Sequence, residues 1–176
     1  MRARSLSLAV ALLVPALVPA GAQAATPITK RSLLSLSGLG AIGIGIKVST
    51  AERRTGQDLH YRSGDIAKGC GSGQLTPKAL GVTVLGTDFR IGYIAVSKRG
   101  IKTPSGIRVG DSLAKLGRAY GKRLVDVPNA FDVHETDFEY RDGDRKLVFF
   151  VDPRTRKVKA MRTGRKPEVD YVEGCA

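Results

Sequence analysis

Tryptophan is absent from this chain, and aromatic residues make up only 6% of it. That removes the most frequent anchors of protein interfaces and leaves no aromatic-rich motif for stacking nucleic-acid bases. Two cysteines, Cys70 and Cys175, and two histidines, His60 and His134, are too few and too scattered for a closely spaced zinc set. No Ser–His–acid or Cys–His pairing is visible around them, so the sequence offers no catalytic residue, no cofactor motif and no metal site. Acids are scarce as well. Sixteen Asp and Glu face 29 Lys and Arg, a formal net charge of +13. Such a surplus favours anionic partners, such as envelope polymers, acidic headgroups or acidic proteins. Nothing patterned points to specific nucleic-acid binding.

Long apolar runs are confined to the start. Arg2 and Arg4 precede the apolar stretch Leu6–Val18, which Pro15 interrupts, and Ala22-Gln23-Ala24 is a small-x-small cleavage site. Residues 1–24 read as a secretory signal peptide, too short for a comfortable membrane span and without a cysteine for lipid anchoring. The protein is therefore expected to be secreted and extracellular, with no transmembrane anchor in its mature form. In that setting an even cysteine count argues for a disulfide, here Cys70 to Cys175, with an intermolecular bridge or two free thiols as the lesser options. In the chain-entropy account a loop of that size is worth on the order of 4–5 kcal/mol.

The most structured stretch is Thr103–Gly121. Thr103-Pro104-Ser105-Gly106 is a turn signal, with Pro fixing φ and Gly accepting a positive one. Ile107 and Val109 alternate with Gly106 and Arg108. Asp111 or Ser112 can cap a helix whose apolar stripe is Leu113, Leu116 and Tyr120, and Gly121 can end it. A phosphate-cradling loop at Gly106–Gly110 lacks the Lys-Ser/Thr pair of a P-loop and the spacing of a dinucleotide fingerprint, so the glycines read as bends.

A degenerate copy lies upstream in residues 38–56. Ile42 falls on Ile107, Ile44 on Val109, Gly45 on Gly110, Val48 on Leu113, Ala51 on Leu116 and Gly56 on Gly121. The cap does not recur, so the first helix should begin raggedly on a smaller stripe of Val48, Ala51 and Thr55. Hairpins are expected in both halves. Val82–Val84 turns through Gly86-Thr-Asp88 into Ile91–Val96, Phe138–Tyr140 turns at Asp142-Gly143, and Leu147–Val151 turns at Asp152–Thr155 into Lys157–Met161. The Gly-rich residues Gly64–Gly73 read as a loop. These signals predict an α+β fold: a tandem repeat of a short helix followed by antiparallel strands, helices packed on one face of an antiparallel sheet. The halves would be residues 25–98 and 99–176, forming one combined domain.

With the glycine-bracketed helix Gly106–Tyr120-Gly121 and the terminal Glu173-Gly174-Cys175, the chain resembles small secreted actinobacterial proteins of the β-lactamase-inhibitor-protein-like fold, which is related to the small outer-membrane assembly lipoproteins. The resemblance implies two helix–sheet units forming a concave sheet surface that grips an enzyme.

Acids concentrate in Asp126–Asp144 and bases in Arg154–Lys166, an arrangement suited to cross-strand pairing. The segment Asp132-Val-His134-Glu135-Thr-Asp137-Phe-Glu139 gathers carboxylates and an imidazole, yet reads foremost as a strand with its acids in water and Val133, Phe138 and Tyr140 inward. By period two, Lys157, Lys159 and Met161 share a face, and with Tyr93 and Phe150 they would form an exposed interaction surface. The expected function is that of a secreted, monomeric, non-catalytic binding protein engaging a protein or an anionic envelope component through its sheet face. Inhibition of a secreted hydrolase, such as a β-lactamase or protease, is the alternative.

Overall fold

The structure is a computed structural model that describes residues 24–60, 62–63, 69–129, 132 and 135–172. Residues 1–23 of the leader, with His134, Val133, residues 64–68 of the Gly64–Gly73 stretch and the terminal Glu173–Cys175, lie outside the described residues.

The chain opens with a small meander, β1 (Leu34–Ser35), β2 (Gly38–Leu39) and β3 (Ile42–Gly43), and then enters helix α1 (Val48–Thr55). Strands β4 (Arg62–Ser63), β5 (Gly71–Gln74), β6 (Val82–Thr87) and β7 (Arg90–Val96) follow. After a connection through Thr103–Gly110 come helix α2 (Leu113–Tyr120) and strands β8 (Leu124–Pro128), β9 (Thr136–Asp142), β10 (Arg145–Asp152) and β11 (Lys157–Arg165). Strands β4 to β11 form one eight-stranded antiparallel sheet in the order β4-β5-β6-β7-β11-β10-β9-β8. The pairing of β7 with β11, register Met161↔Val96 to Gly164↔Tyr93, makes the sheet continuous across the chain.

Local signals are realised closely. The turn closes with Gly106 N–H donating to the Thr103 carbonyl at 2.9 Å. The Ser112 hydroxyl accepts from the Lys115 N–H and caps α2, whereas Lys47 gives α1 no side-chain cap. The buried residues of α1 are Val48, Ala51 and Thr55; those of α2 are Leu116 and Tyr120. Each helix has eight residues, too few to persist alone, so burial of its stripe holds it. The fully buried Leu116 alone is worth about 1.5–3 kcal/mol. The loop before each helix is hydrogen-bonded to a strand: Gly45 N–H to the Ile91 carbonyl at 2.7 Å, and Gly110 N–H to the Val158 carbonyl at 2.8 Å.

The architecture departs from the expected tandem of helix–sheet repeats. It is dominated by sheet, with two short helices as side elements. Its units are unequal, since β4 and β5 have two and four residues where β9 and β10 have seven and eight, and a three-stranded meander stands outside the eight-stranded sheet. The matched glycines and apolar stripes mark similar local turns and helix contacts. They do not set the global arrangement, which follows from strand pairing. Gly71–Gly73, expected as loop, instead belongs to β5, where Gly73 pairs with Val84.

One face of the sheet carries the main core. Phe149, Met161, Ile94, Val84 and Val96 have essentially no exposure and pack with Leu34, Leu39, Ile42, Ala51, Leu116 and Tyr120 from the meander and the helices. The opposite face carries a smaller cluster of Cys70, Leu85, Tyr93, Val148 and Val169.

Candidate functional site

The second face is built by strand alternation. A row of paired positions runs Arg141, Lys146, Gly164, Tyr93, Leu85 and Ser72 from β9 to β5. Its neighbour runs Glu139, Val148, Arg162, Ala95, Thr83 and Gln74. Because side chains two apart share a face, these rows form one continuous surface.

One end of this surface is covered by the C-terminal segment that follows β11. Its short turn, Glu168–Asp170, sits over glycines: a Cβ on Gly92 would fall 2.7 Å from the Glu168 Cβ, and one on Gly164 would fall 2.9 Å from the Val169 Cβ. Polar ties fix it. Thr87 Oγ1 donates to Glu168 Oε1 at 2.9 Å, and Arg162 Nη1 donates to the Val169 and Tyr171 carbonyls at 3.2 and 2.9 Å. Lys146 Nζ is ion-paired with Asp170 and, at 2.7 Å, with Glu139, which also holds Arg141 at 2.6 Å.

Beyond that strap the surface is a half-buried shelf of Thr83, Ala95, Ala160, Phe150 and Arg162. The Arg162 guanidinium lies 4.5 Å from the Tyr93 ring centroid and 5.0 Å from that of Phe150, within cation–π range of both. Burial lowers its pKa, and the nearby Tyr93, Asp137 and Asp170 only partly oppose that. Its Nε is buried without a partner. Next to it Asp137 is 6% exposed, accepts from Asn129 Nδ2 at 2.9 Å, and leaves Oδ1 buried and unpartnered. Burial raises the Asp137 carboxyl above its usual range despite Asn129, Lys159 and Arg162.

The five residues expected to share an exposed face do not all do so. Tyr93 and Phe150 are brought together by Arg162, though Tyr93 is only 8% exposed. Lys157 and Lys159 are exposed, and Lys159 pairs with Glu135 at 3.1 Å. Met161 lies fully buried in the opposite core. A bulge explains the split: Phe150 pairs with Ala160 and Val151 with Val158, so Lys159 is an extra residue and the alternation changes phase between Lys157 and Met161. Arg162, the residue that organises the shelf, was not singled out in sequence because period two counted from Lys157 assigns it to the other face.

The acidic segment also differs from expectation. Phe138 and Tyr140 do turn toward the core, but Asp137 and Glu139 are buried rather than in water. Among the described residues no group of three or more His, Cys, Asp or Glu could hold a metal ion. Cys70 is 5% exposed and is not a free thiol, while Cys175 lies outside the described residues. No described helix is long and apolar enough to cross a membrane.

No protein-family description and no curated protein matches the chain. Among solved structures it is similar to an extracellular protein containing an SCP domain from Bacillus anthracis, with a TM-score of 0.52 and 12% identity over 70% of this chain and 44% of that one. It is also similar to a cysteine-rich secretory protein from Staphylococcus aureus, with a TM-score of 0.48 and 12% identity over 81% of this chain and 49% of that one. The chain thus spans less than half the length of either, and at such identity the first likeness is one of fold alone. The first likeness and the sheet-dominated architecture overturn the resemblance to the β-lactamase-inhibitor-protein-like fold and the outer-membrane assembly lipoproteins.

Proposed function

We propose that the protein is a secreted, non-catalytic binding protein that engages a protein or an anionic cell-envelope polymer through the shelf on its second sheet face. The observation that carries this reading is Arg162, a cation held between two aromatic rings on a half-buried surface, with an unpartnered Nε. Arginine beside aromatic side chains is the composition of an interface anchor, and the +13 charge of the chain favours an acidic partner. Secretion is supported by the leader pattern and by the likeness in fold to an extracellular protein. The reading of a hydrolase inhibitor rested on the overturned resemblance and has no separate support.

A covalent tie belongs to the same reading. Cys70 sits in the second-face cluster beside Val169, and Cys175 is the one other cysteine in the chain. A Cys70–Cys175 disulfide would lock the C-terminal strap over its end of the sheet. Non-reducing peptide mapping of the secreted protein should recover the two cysteines in one linked peptide pair; two alkylated thiols would remove the lock.

Binding is tested by pulling down partners from culture supernatant and purified cell wall with the wild-type chain and with Arg162→Gln. Retention of an envelope component by the wild type and its loss in Arg162→Gln is the expected result. Equal retention by both proteins would exclude the shelf as the binding surface.

A further inference from the structure

A cleft of about 530 Å³ opens between the meander, the Thr103–Gly106 turn, the C-terminal end of α2 and the β9–β10 hairpin. That is the size of pockets that hold small organic ligands. It lies on the helix-bearing side of the sheet, away from the shelf, and its walls differ from the core beneath it. Two arginines, Arg123 and Arg145, line it. The Arg123 guanidinium stands 5.2 Å from the Tyr140 ring centroid, with Nη1 donating to the Tyr140 hydroxyl at 3.5 Å, so it is positioned rather than freely waving. Arg145 has no side-chain hydrogen bond or ion pair among the described residues. Thus neither guanidinium has an ion-pair partner among the described residues, and both remain available to a ligand.

The remaining polar groups narrow the ligand. Ser35, Ser37 and Ser105 line the same cleft, the hydroxyls of Ser35 and Ser37 2.8 Å apart, and so does the exposed Asp142. Two guanidinium groups suit a multiply charged oxyanion, which planar N–H forks bind by paired hydrogen bonds. A carboxylate beside them would repel a bare anion and instead accept from a hydroxyl. Serine hydroxyls both donate and accept, as hydroxyl recognition requires. We propose that this cleft binds a phosphate ester of a polyol, with Arg123 and Arg145 on the phosphate and Asp142 and the serines on the hydroxyls. The site is independent of the shelf, and either can fail without the other.

Isothermal titration calorimetry of the full chain with glycerol 3-phosphate, inorganic phosphate, glucuronate and poly(glycerol phosphate) tests it. Saturable binding of glycerol 3-phosphate is expected, roughly tenfold weaker in Arg123→Gln and in Arg145→Gln. Lys78→Gln, an exposed cation outside the cleft, should leave it unchanged. Inorganic phosphate should bind more weakly than the ester, and Asp142→Asn should narrow that gap. Tighter binding of the polymer than of the monoester would mark an envelope polymer as the source; equal or weaker binding would mark a free metabolite. The proposal is overturned if neither ester saturates, if Lys78→Gln weakens binding as much as the cleft variants, or if glucuronate binds more tightly than the esters. Arg123 is exposed and Arg145 half-exposed, and thermal melts of both variants check that the fold is intact.

Discussion

The two faces of the eight-stranded sheet are made from the same strands and follow opposite rules. On the first, aliphatic and aromatic side chains from β6, β7, β10 and β11 meet the meander and both helices in a dry core. On the second, a short apolar cluster is bordered by Glu139, Lys146, Arg162 and Asp137, and one segment after β11 covers it. The first face is paid for by area removed from water. The second depends on paired charges, each of which costs desolvation that its partners must offset. The contrast separates the part of the molecule that makes it fold from the part with chemistry left to use.

Neighbouring phenylalanines give the sharpest way to break that contrast. Phe149 points into the first face with no exposure, while Phe150 is half-buried on the second beside Arg162. Phe149→Ala should cost about 3–5 kcal/mol from lost burial and an unfilled cavity. Phe150→Ala should cost about 1 kcal/mol, much of it the cation–π contact. Urea denaturation of both variants measures the difference. Equal losses would mean that the second face is as much a core as the first.

The buried ion pair comes next. Lys146→Ala leaves Glu139 with Arg141 alone and removes the tie from Lys146 to Asp170, so a loss of about 3 kcal/mol is expected, at the low end for a broken buried pair. Replacing Glu139 and Lys146 together by leucine and methionine should recover most of it. Amide exchange should also speed up in Glu168–Tyr171 under Lys146→Ala while the strands facing the helices stay protected. Uniform acceleration across the sheet would show that the strap is not a separate unit.

Which of this was legible in sequence follows from the range of the forces involved. The Thr103–Gly106 turn, the Ser112 cap, the stripes of both helices and the hairpins at Asp88 and Asp142-Gly143 are local, and each was readable from a few adjacent residues. The global fold was not. Similar turns and stripes in both halves do not encode that β7 pairs with β11, nor that the meander stands apart. The candidate surface failed for a similar reason. One bulged residue, Lys159, reverses the phase of β11, sends Met161 into the core and turns Arg162 outward. A bulge is set by pairing with the neighbouring strand, which period-two counting along one strand does not contain.

Two aspartates give the smallest and most discriminating test. Asp111, before α2, is driven up by burial, but Lys115 Nζ at 2.6 Å and the Arg108 N–H at 3.1 Å outweigh this and hold it below its ordinary value of 3.8. A lowered folded pKa means that its contribution is present above pH 3.8 and is lost as pH falls through the lowered value. Asp137, on the second face, runs the other way. Its raised pKa means that its contribution is full only below 3.8 and is lost as pH rises through the raised value, so at neutral pH its charge is a net cost. Asp111→Asn should therefore destabilise by about 1.5 kcal/mol at pH 7 and by little at pH 3. Asp137→Asn should stabilise by about 1 kcal/mol at pH 7, an advantage that shrinks toward pH 3. Urea midpoints at the two pH values decide it. If Asp137→Asn proves destabilising at pH 7, then the Asp137 charge is needed by Arg162, and the second face holds a structural ion pair in addition to the ties from Arg162 to two carbonyls and two rings.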